Sequence, residues 1–141
     1  MEPGIEVMFT NSMVDEIQRS RVAHVVDDAD VAVEGAIEEV TYIPVSKRTG
    51  DDFTLLPKGT VQATAYRILV LANVALVRKS DNKTLWVGEF NGERIYTPPL
   101  IASAIVNSAN PLYNLAARRA SIKEIANDLV VEAFDRMTEN F

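Results

Sequence analysis

The 141-residue chain contains no cysteine. That single absence removes disulfides, thiolate metal sites and a cysteine nucleophile, and it leaves the redox compartment open. There is one histidine, His24, set in the apolar run Val22-Ala23-His24-Val25-Val26. Without a second histidine or a cysteine it forms neither a conventional zinc site nor a catalytic triad, so a structural or surface role is expected for it. No phosphate-cradling glycine loop, nucleophile elbow or HExxH motif occurs. The acidic pairs Asp27-Asp28, Glu38-Glu39 and Asp51-Asp52 fall in turns or at strand edges. Neighbours on a strand point to opposite faces, which makes Glu38-Glu39 a poor acid-base dyad. No cofactor, metal or enzymatic activity is therefore expected.

Positive charge is also scarce: 14 Lys and Arg stand against 20 Asp and Glu, a formal net charge of −6. General nucleic-acid binding needs a dense basic face, so nucleic acid is not an expected partner, although a local basic site remains open. No stretch approaches the ~18–20 unbroken apolar residues of a membrane span, and Met1-Glu2-Pro3-Gly4 has no signal-peptide pattern. Glycine and proline number six each, and 48% of residues are hydrophobic, which suits one compact domain over residues 1–141 with a two-layer core.

The periodicities supply the layers. Ile5, Phe9, Met13 and Ile17 recur at four-residue steps and predict an amphipathic helix over 3–20, with Pro3 in its first turn. Val31, Val33, Ile37, Val40, Tyr42 and Ile43 form a β-rich stretch whose alternation slips near Gly35, where a bulge is expected. Residues 45–59 read as a long hairpin connection. Tyr66, Ile68, Val70, Ala72, Val74 and Leu76 hold one parity and predict the firmest strand. Ser80-Asp81-Asn82-Lys83 is a turn, and Leu85 to Tyr96 returns as its partner. Asn110 and Pro111 open a last helix, along which Leu115, Ile122, Ile125, Leu129, Ala133 and Met137 recur. The expected fold is α+β: a two-layer sandwich with both helices on one face of a mainly antiparallel sheet of three to four strands. Trp86 reads as a core or sheet-edge aromatic. Arg118 and Arg119 fall on the flank of the last helix's apolar stripe, where either plain solvation or a phosphate-binding role is open.

The segments Glu2-Pro3-Gly4-Ile5-Glu6, Thr10-Asn11-Ser12, Asp28-Ala29-Asp30 before Val33-Glu34-Gly35, Ala65-Tyr66-Arg67-Ile68, Lys83-Thr84-Leu85-Trp86, and Ile125-Ala126 with Leu129-Val130 carry a resemblance over nearly the whole chain. In order and spacing they resemble the lipopolysaccharide-assembly lipoprotein family. The resemblance implies a non-catalytic protein of the Gram-negative outer membrane, lipid-anchored on its periplasmic side, that plugs a β-barrel translocon and binds lipopolysaccharide. It implies basic ligand contacts at Lys58 and Arg118, with Arg119 as a neighbour and a one-residue shift at Lys58. Leu55 and Leu56 are the matching candidates for acyl-chain contact. The family's pattern also has a lipidated cysteine and a first strand ahead of Pro3-Gly4-Ile5-Glu6. Both are expected upstream of Met1, and a free sheet edge is expected in this chain where that strand would pair. The same helix-sheet-helix order is similar to other envelope modules, the lipoproteins that activate cell-wall synthases and the amino-terminal domain of the Tol-system translocation protein.

Overall fold

The computed structural model describes residues 4–49, 61–97 and 111–139. Among the described residues five elements follow one another: α1 (Ile5–Ser20), β1 (Val31–Thr49), β2 (Val61–Arg78), β3 (Lys83–Tyr96) and α2 (Pro111–Thr138). The strands form an antiparallel meander in the order β1-β2-β3, which makes the protein α+β, two helices with a three-stranded open sheet. The 28 residues of α2 reach ~42 Å at ~1.5 Å per residue.

Alternation on β2 dictates the core. Ile68, Val70, Ala72 and Leu76 are buried on one face, and Phe90 and Tyr96 of β3 join them. Against these α2 presents Ile122, Ile125, Ala126, Leu129, Val130, Ala133, Phe134 and Met137, all buried, at the three- and four-residue steps that keep one helix stripe facing the sheet. Each large member contributes ~1.5–3 kcal/mol by leaving water. By contrast α1 buries only Ile5 and Ile17. It begins at Gly4, whose φ of 88° suits a residue without a side chain, while Pro3, expected in its first turn, lies outside the described residues.

The slip in β1 is real, but its place is corrected. Gly35 pairs regularly with Val74, and the extra residue is Glu38, between the Ile37–Ala72 and Glu39–Leu71 pairs. Val33 and Ile37 before it, and Val40 and Tyr42 after it, thereby face the same core. Glu38 itself accepts a hydrogen bond from Asn73 Nδ2 on the neighbouring strand. The turn between β2 and β3 is set by Asp81, whose Oδ1 accepts the Lys83 N–H at 3.2 Å, and by Asn82 at φ 53°. On the sheet's other face Ile43, Val87 and Ile95 are exposed.

Candidate functional site

Charge is unevenly placed along α2. Residues 111–123 contain Arg118, Arg119 and Lys123 and no acid, whereas Glu124, Asp128, Glu132 and Asp135 follow. Its first half therefore gathers three cations on one acid-free stretch. In a chain of net charge −6 this is a local attraction for anions.

The sheet fixes where those cations stand. Register places Tyr42 beside Ile68 and Arg94, and Pro44 beside Tyr66 and Tyr96, at the end of the sheet that leads to the β1–β2 connection. Tyr66 and Tyr96 stack with centroids 5.6 Å apart and ring planes 21° apart. The Arg118 guanidinium lies over the Tyr42 ring, 5.5 Å from its centroid. This contact holds the half-buried Arg118 against β1 at a cation–π energy of about 0.5–2 kcal/mol. Arg119, one residue on and ~100° round a 3.6-residue helix, is exposed instead. So the two arginines of the predicted pair do different things: one is clamped to an aromatic ring, the other faces water. Lys58, Leu55 and Leu56, predicted to complete the site, lie outside the described residues.

Lys123 is not among the residues expected from sequence, although its spacing to Arg119 marks it. It follows Arg119 by four residues, so the two cations share a helix face, and both are exposed. Arginines of β2 and β3 pair with acids. Arg94 reaches Asp128 at 2.9 Å and Glu124 at 3.3 Å, and Arg67 lies 3.8 Å from Glu93. Trp86 is half-buried and tilted against Phe90, 6.1 Å between centroids, so it packs inside rather than serving as a platform.

Among the described residues no polar or charged residue is buried as a whole, and no group of three or more His, Asp or Glu could hold a metal ion. No helix among them is long and apolar enough to cross a membrane. What the arrangement offers is an aromatic-backed cationic surface, suited to an anionic group by paired hydrogen bonds from guanidinium and a point charge from ammonium.

The family model for LptE, lipopolysaccharide-assembly, matches residues 2–137. No curated protein matches the chain. Among solved structures, a lipoprotein from Caulobacter crescentus superimposes with a TM-score of 0.58 at 8% identity, covering 94% of this chain and 80% of that one. The rare lipoprotein B from Shewanella oneidensis does so with a TM-score of 0.54 at 14% identity, covering 94% and 86%. At these identities the two structures speak for the fold alone.

Proposed function

Because the chain belongs to the LptE family of lipopolysaccharide-assembly proteins, we propose that it is a non-catalytic, lipid-anchored component of that assembly on the periplasmic side of the outer membrane. In this reading it docks into a β-barrel translocon and contacts lipopolysaccharide as it passes. The family match across residues 2–137 carries the proposal. The acid-free, cationic first half of α2 supports its ligand-binding part. Lipid A phosphates would meet Arg118, Arg119 and Lys58, and its acyl chains Leu55 and Leu56. Arg118, held over Tyr42, is pre-positioned and loses little side-chain freedom on binding a phosphate.

Two measurements test this. The natural full-length protein, affinity-purified from outer membranes, should bring down a large β-barrel protein in near-equal amount. Recovery of a cell-wall synthase instead would transfer the chain to the activator-lipoprotein class. For the ligand, the double substitution Lys58→Glu and Arg118→Glu should weaken lipopolysaccharide binding tenfold or more, about 1.4 kcal/mol, while leaving a cooperative thermal melt in place. Unchanged affinity would remove both residues from the site.

A further inference from the structure

In the second half of α2 exposed acids meet cations. Glu124 and Asp128 pair with Arg94 at 3.3 and 2.9 Å, and Glu132 pairs with Arg136 one turn on. In the first half Arg119 and Lys123 are both exposed, and neither has an ion-pair partner among the described residues. The positions three and four residues from the pair along the helix hold Leu115, Ala116, Ala120, Ile122, Ala126 and Asn127, none of them an acid. Two like charges at four-residue spacing repel each other, and nothing on their own helix offsets that repulsion. An anion seated between them would.

The spacing sets the size of that anion. Residues four apart on a helix have Cβ atoms ~5–6 Å from one another. A phosphate that accepts charge-assisted hydrogen bonds of ~2.7–2.9 Å on two sides bridges such a gap. Arg118 belongs to a different face. Its guanidinium lies over the Tyr42 ring of β1, 5.5 Å from the centroid. On a helix ~10–12 Å across, ~100° of turn separates it from Arg119 by ~8–9 Å at the surface. One phosphate does not reach both faces. Two phosphates at opposite ends of a sugar headgroup do.

We propose that Arg119 and Lys123 together hold a second phosphate, so that the protein selects a lipid with two phosphates ~8–9 Å apart over a lipid with one. This selectivity rests on the ligand-binding function proposed above, and it adds Lys123 and a count of phosphates to it.

The test uses the full chain and two probes dispersed in detergent, bisphosphoryl and monophosphoryl lipid A with the same acyl chains. The parent should bind the bisphosphoryl form at least tenfold more tightly, and equimolar inorganic phosphate should not displace it. Arg119→Gln with Lys123→Gln should bring the two affinities close to parity. Arg119→Lys with Lys123→Arg, which keeps both charges, should preserve the preference. The thermal midpoints should hold in both double variants, because the two side chains are exposed. Equal parent affinities for the two lipids, displacement by equimolar phosphate, or a tenfold preference that survives Arg119→Gln with Lys123→Gln overturns the second phosphate site and leaves lipopolysaccharide binding standing. Absence of any lipid A binding in the parent removes the ligand-binding function itself, and this selectivity with it.

Discussion

Gly92 on β3 and Gly35 on β1 face the same side of the sheet and sit under opposite ends of the helix layer. At Gly92 an added Cβ would come within 2.6 Å of Ile125 Cγ2 and 3.1 Å of Leu129 Cγ. At Gly35 the nearest atom is a backbone oxygen 3.8 Å away. The difference shows how the two layers meet: α2 settles directly onto β3, where a glycine lets the backbones approach, while α1 leans mainly on α2 and leaves β1 half open. One side of the sheet is spent on stability. The other retains space.

Three substitutions probe that asymmetry. Ile125→Ala, at the closest point of the tight side, should cost ~2–5 kcal/mol through lost burial and a residual cavity, read as a lower denaturant midpoint at unchanged slope. Gly92→Ala should cost less, ~1–3 kcal/mol, because the new methyl overpacks against Ile125 and Leu129. Pairing it with Ile125→Val should recover part of the loss in a double-mutant cycle, and strict additivity would mean the two residues do not press on one another. Gly35→Ala should be the mildest, neutral or stabilising by up to ~1 kcal/mol, since it restricts the unfolded chain and meets open space. If Gly35→Ala destabilised as much as Gly92→Ala, the two sides would be equally packed and the comparison would fail.

Much of this architecture could be read from residue order. The β2 alternation and the α2 stripe were legible because both have long, regular periods that end on clear turn or cap residues. The bulge lies three residues beyond its expected place. Gly35 is the residue of the strand that best tolerates irregular backbone, but the true position depends on pairing with β2 and on the Glu38–Asn73 bond, neither of which is visible within one strand. Arg118 was legible as a flank residue of its helix. Its seat over Tyr42 was not, because that contact joins the last helix to the first strand. Lys123 was within reach by the same four-residue spacing that revealed the apolar stripe. Val22, Val25 and Val26 look like core residues in sequence and are exposed in the fold.

The bulge at Glu38 has a consequence for which sequence changes this strand can survive. Replacing the exposed Glu38 forfeits its bond to Asn73 and little else. Deleting it would erase the change of parity, so that residues on one side of position 38 would be turned over: Val40 and Tyr42 would face away from the core, or Val33 and Ile37 would. Relatives of this protein should therefore vary freely in side chain at this position while keeping the spacing between Ile37 and Val40, a pattern in which insertions and deletions are purged and substitutions are not.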